Sequence, residues 1–116
     1  MQNNKSVKLF IDESLIPTEG WTILRSLEES KEYIISNGVP RLMDIGFHLL
    51  AEDYESKSKY TGYDLIKWLI QSDIDGEINI PSDFTYKVHA HNNLEAEEKM
   101  LATLRDYLDY RDAPMM

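Results

Sequence analysis

Apolar positions along this chain fall into short runs and spaced stripes that alternate from one end to the other. Residues 7–11 (VKLFI) form an apolar run that stops at Asp12 and Glu13, the pattern of a strand covered on both faces of a parallel sheet. Residues 14–20 (SLIPTEG) carry Pro17 and Gly20 and read as a loop. Residues 21–24 predict a second, short strand. Ser26 opens S-L-E-E, a capping box with Glu29 at the third helical position. Leu27, Tyr33, Ile34 and Ile35 follow at loosely helical spacing until Asn37-Gly38 stops the helix.

Residues 43–50 (MDIGFHLL) predict the third strand, with Gly46 as a point of close approach. Residues 52–60 (EDYESKSKY) are polar and charged, which predicts an exposed loop. Thr61 then begins T-G-Y-D, a second cap with an acid three positions on. Tyr63, Ile66 and Ile70 lie at i, i+3 and i+7, and Leu65, Trp68 and Leu69 widen that stripe into an amphipathic helix. Residues 73–82 are a turn-rich connection. Residues 84–88 (FTYKV) alternate apolar and polar, a fourth strand running into His89. Asn92 or Asn93 caps a last helix with Met100, Leu101, Leu104 and Leu108 on one face, and a short tail from about residue 112 frays.

Strands alternating with helices imply parallel pairing through right-handed crossovers. The expectation is one α/β domain over residues 1–116, in three layers, with a mostly parallel sheet of about four strands. Ligands of such sheets sit beyond the carboxyl ends of the strands. Asp12 and Glu13 follow the first strand, His48 lies at the end of the third, His89 follows the fourth, and Thr61 starts the helix after the third.

Composition narrows the functional classes. The chain has no cysteine, which excludes disulfides, thiolate metal sites and a cysteine nucleophile, and it fits a cytoplasmic setting. Its first residues (MQNNKSVKLF) carry no signal-peptide pattern, and no segment nears the ~18 apolar residues of a membrane helix. Twelve basic and 21 acidic residues give a net charge of −9. Such a surface repels phosphate backbones and disfavours direct nucleic-acid binding. It leaves a solvated surface, mimicry of nucleic acid, or steering of a basic protein partner.

Three blocks, KLFIDESLIPTEGW, YTGYDLIKWL and YKVHAHNNLEAEEKM, together resemble the cyclic-phosphate processing receiver-like domains, small relatives of the response-regulator receiver. The resemblance implies a receiver-like, flavodoxin-like fold and action on cyclic phosphates of nucleotides or RNA ends. Its pattern runs strand-Asp-Asp, a Pro and Gly-Trp loop, a strand ending in Asp-His-Asp, Thr-Gly-Tyr-Asp, then Val-His-Ser-x-Asn and a helix. Thr61-Gly62-Tyr63-Asp64, and Pro17 with Gly20-Trp21, carry it best. Glu13 replaces the second Asp, and Ala90 stands at the Ser. Aligned on residues 46–50 (GFHLL), the Asp-His-Asp segment has no carboxylate, and His48 stands at its first acid.

Each candidate residue has a chemical and a purely structural role open to it. Asp12 and Glu13 either hold a divalent cation, for which two ligands are few, or anchor the following loop. No other cofactor is implied. His89 is a general acid or base near neutral pH, or closes its strand. Paired with His48, it would supply the two imidazoles that in-line opening of a cyclic phosphate needs. Thr61, Gly62 and Tyr63 offer a hydroxyl, backbone amides and a ring at a helix start, or a plain capping box. Asn92 contacts a ligand or caps the last helix. Trp21 is a candidate for stacking on a base, and the last helix's stripe is core or a homodimer face.

Three readings follow. The first is a receiver-like module with a degraded site that binds a nucleotide, a cyclic-phosphate ligand or a protein partner without phosphotransfer. The second is a phosphoesterase using His89, Asp12 and Glu13. The third is an acidic, phage-type interaction or inhibitor protein. Phosphotransfer is disfavoured because no acceptor Asp is read at the end of the third strand.

Overall fold

A computed structural model describes residues 7–50 and 60–113. The expected loop over residues 52–60 falls outside these except for Tyr60, and the tail does so beyond residue 113. The elements are β1 (Lys8–Ile11), β2 (Thr22–Leu24), α1 (Leu27–Asn37), β3 (Leu42–Gly46), α2 (Gly62–Ile74), β4 (Thr85–His89) and α3 (Leu94–Asp112). The strands form one all-parallel sheet in the order β2-β1-β3-β4. This is the receiver-like α/β arrangement that the alternation of runs and stripes predicts.

Register decides which residues the sheet buries. Leu9, Met43 and Tyr86 lie side by side, as do Ile11, Ile45 and Val88. Side chains alternate along a strand, so these six share one face. They meet Leu27 and Ile34 of α1, Leu65, Ile66 and Leu69 of α2, and Met100, Leu104 and Leu108 of α3 in a single core. A fully buried Leu or Ile contributes roughly 1.5–3 kcal/mol, so this layer contact dominates stability. The stripe of α3 is therefore core.

The layering differs from the expected three. All described helices lie on the Leu9–Met43 side, giving two layers among the described residues. Topology explains it. From β2 past β1 to β3, and on to β4, the chain always steps the same way across the sheet, and right-handed crossovers then place every helix on one face. The connection from β1 to β2 would need a helix to cover the other face, and residues 12–21 are a helix-free loop. The open face carries Lys8, Phe10, Asp44, Lys87 and His89, a mixed polar surface rather than an apolar one.

The helix ends follow their sequence signals. Ser26 caps α1 by accepting from the Glu29 amide at 3.2 Å, and Gly38, at φ 87°, ends it. Asn93 rather than Asn92 caps α3, accepting from the Ala96 amide at 3.1 Å. At the opposite edge of the sheet, Asp73 ties α2 to α3. Its carboxylate accepts from the Ile80 amide, Tyr107 Oη and Arg111 Nη1. Burial and the bond to Asp73 push the Tyr107 phenol up to about 12.

Candidate functional site: a histidine between two carboxylates

Three strand ends converge. His89 closes β4, Asp12 follows β1, and Asp44 lies within β3, all directed to the open face. His89 Nε2 is 2.8 Å from Asp12 Oδ2, and its Nδ1 is 2.6 Å from Asp44 Oδ1. The Phe10 ring stacks on the imidazole, with centroids 5.1 Å apart and planes 14° apart. Trp21 packs edge-on against Phe10, and Lys8 Nζ lies over Trp21. Trp21 thus meets the site through Phe10.

Gly46 makes this arrangement possible. It pairs in register with His89, and a Cβ there would stand 2.6 Å from His89 Nε2 and 2.7 Å from both Asp12 Oδ2 and the Ile11 carbonyl. Real Cβ contacts are not that short. The imidazole occupies space that any other residue at position 46 would claim.

Asp12 also anchors the loop that follows it. Its Oδ1 accepts from the amides of Ser14 at 2.9 Å and Leu15 at 2.8 Å, while Arg25 donates to the carbonyls of Asp12 and Leu15. Burial alone would raise the Asp12 carboxyl. The two amides and His89 outweigh it and hold the group below the usual carboxylate range. The bond to Asp44 raises His89, burial opposes, and Asp12 adds to the rise, so the imidazole is held above its ordinary value. Each nitrogen faces a carboxylate oxygen, an arrangement that favours the protonated imidazole; in that form, with both acids ionised, the Asp12–His89–Asp44 group carries one net negative charge.

Asp44 was missed in the sequence because it lies inside an apolar run. The signal was its alternation with Met43 and Ile45, matched by Lys87 and His89 against Tyr86 and Val88. The third strand ends at Gly46, so a strand-ending Asp-His-Asp falls on Asp44-Ile45-Gly46 and not on residues 48–50. The first acid is present as Asp44, Ile45 stands at the histidine, and Gly46 stands at the second acid. The expectation that the third strand offers no carboxylate is thereby corrected.

The other candidates lie around this group in different roles. His48 is outside β3, in an isolated bridge with Thr61, and its ring packs on Phe47. Its carbonyl accepts from the Glu13 amide at 2.9 Å. Among the described contacts the His48 and His89 rings share no partner. Thr61 donates through its amide and hydroxyl to Asp64 Oδ2, at 2.8 and 3.2 Å. The Gly62 amide donates to the Phe47 carbonyl at 2.9 Å. The expected anion cradle at the start of α2 is filled from within.

Gly62 serves close packing. A Cβ there would lie 2.0 Å from the Gly46 carbonyl oxygen. Asn92 adopts a left-handed φ of 56° in the turn before α3. Tyr63 lies half-buried between two ammonium groups, Lys67 Nζ at 4.9 Å and Lys99 Nζ at 4.7 Å from its ring centroid. Asp12 has both oxygens engaged. Among the described residues, no group of three or more His, Asp or Glu side chains is arranged to hold a metal ion.

Two pockets open at this end of the sheet. One, of about 320 Å³, is lined by Phe10, Leu15, Asp44, His89, His91 and Glu97, among others. The other, of about 260 Å³, is lined by Phe47, Tyr63, Asn93, Glu95, Ala96 and Lys99. No helix among the described residues is long and apolar enough to cross a membrane.

A parallel sheet in this order, with carboxylates and a histidine at its carboxyl edge, defines a receiver-like domain. Residues 7–106 match the cyclic-phosphate processing receiver domain, and the chain belongs to that family. No curated protein and no solved structure matches it.

Proposed function

We propose that this chain is a receiver-like module that holds a nucleotide bearing a cyclic phosphate and does not turn it over. The observation that carries this reading is the state of His89. Both of its nitrogens lie within hydrogen-bond distance of carboxylates, and an imidazolium held between them has no lone pair to accept a proton from an attacking hydroxyl or water. The acid that holds Nε2 is itself fixed by two loop amides. The family supplies the ligand class.

The test is a thermal-shift and turnover panel of 2′,3′-cyclic nucleotides on the full chain. Stabilisation without turnover is the expected result. Turnover that disappears in His89→Ala would replace this reading with a second one, a phosphoesterase. Asp44 favours that second reading, since a carboxylate on Nδ1 orients and activates an imidazole in many hydrolases. Neither stabilisation nor turnover would leave a protein partner as the ligand.

A further inference from the structure

The acidic strand-end group is a poor receiver for an anion. It carries a net charge of −1, and Glu97 lines the same pocket as Asp44 and His89. The start of α2 is neutralised by Asp64. Positive charge gathers elsewhere at this end of the fold. Lys67 and Lys99, from two different helices, direct their ammonium groups at one ring, Tyr63. Lys67 also approaches Asp64 Oδ1 at 3.4 Å, whereas the described contacts of the Lys99 ammonium include no carboxylate. In a chain of net charge −9, two converging lysines are a local exception.

Lys99 and Tyr63 also wall the pocket of about 260 Å³ between the starts of α2 and α3, with Phe47 as a second aromatic wall. We infer that this pocket, between Phe47, Tyr63 and Lys99, is the ligand site, and that it selects a monoanionic cyclic phosphodiester over a phosphate monoester. The inference rests on the ligand class proposed above. Lys99 receives the phosphate, the aromatic walls receive a flat ring, and Asn93 at the rim offers a polar side chain. The volume suits part of a nucleotide, with the rest outside.

The charge balance sets the selectivity. Lys99 contributes +1 at the wall, and Glu95 contributes −1 at the same wall. Lys67 adds a second positive charge beyond Tyr63. Asp64, paired with Lys67, offsets that second charge, so the four groups cancel in pairs and Lys99 is left to meet a single phosphate charge. A phosphomonoester carries roughly −1.5 to −2 at pH 7, and Glu95 opposes its additional charge.

Isothermal titration of the full chain with adenosine 2′,3′-cyclic phosphate, and in parallel with its ring-opened monophosphate, tests this. Lys99 is exposed on α3, so Lys99→Ala retains the fold. The expected result is at least about tenfold weaker binding of the cyclic probe by Lys99→Ala, the size of one charge-assisted contact. Lys31→Ala, on α1, binds as the unaltered chain does. The monophosphate binds more weakly than the cyclic probe, and Glu95→Gln narrows that gap. Cyclic-probe binding that Lys99→Ala leaves intact overturns this inference and leaves the functional reading standing. Equal or tighter binding of the monophosphate overturns the selectivity. No binding by the unaltered chain overturns the functional reading and the inference together.

Discussion

His89 Nε2 lies 2.8 Å from Asp12 Oδ2, although 77 positions separate the two residues in the chain. That contact joins the first strand end to the last, and Asp44 closes the other side of the ring. The clamp is a cross-sheet tie as well as the centre of the candidate site.

Its protonation gives stability a defined pH window. His89 is raised in the folded chain, so its contribution is complete below its unfolded value near 6.5 and is lost as pH rises through the raised value. Asp12 is lowered, so its contribution is present above its unfolded value near 3.8 and is lost as pH falls through the lowered one. Denaturant unfolding across pH should show a plateau between these limits. His89→Gln should remove the decline on the alkaline side.

Removing the imidazole leaves two carboxylates facing one another. His89→Ala should destabilise the fold by roughly 2–3 kcal/mol, somewhat less than for a fully buried pair because the group is partly solvated. The companion change Asp44→Asn in that background should recover part of the loss, since it removes the repulsion. Urea midpoints of the two variants decide this.

Gly46→Ala should cost about 2 kcal/mol by overpacking. It should also shrink the alkaline decline, because the new Cβ displaces His89 from Asp12 and leaves the larger contribution of Asp44. A variant with the original pH profile would show that the imidazole is not held by this contact.

Gly62→Ala should be more damaging, by about 3 kcal/mol. Its Cβ would meet backbone, the Gly46 carbonyl at 2.0 Å, and helix α2 has to withdraw from β3. Thermal unfolding of the two alanine variants ranks them.

Asp73→Ala, far from the site, should cost roughly 2–4 kcal/mol, since it strips an acceptor from Tyr107, Arg111 and the Ile80 amide at once. Ligand affinity should be unchanged, separating the lock at this edge from the site at the other.

Much of the frame was legible in the sequence. Ser26, Gly38 and Thr61 mark helix ends through their own local chemistry, and the stripe of Ile66 and Leu69 marks the face that is buried. The apolar pattern carries the third strand on to residue 50, past its end at Gly46, because Leu49 is fully buried and an apolar run does not reveal where strand pairing stops. That error moved the acidic position onto His48 and hid Asp44. Side-chain partnerships across the sheet, such as Asp12 with His89, depend on register. Register is set by the folded whole and not by any local segment.

Gly46 couples two parts of the fold. Its missing side chain makes room for the imidazole on one side, and its carbonyl receives Gly62 on the other. Any side chain placed at 46 has to be met by movement of His89, Asp12 or the backbone after Ile11. The geometry of the clamp and the seating of helix α2 against the sheet are thus set at one position, and a change there is felt in both.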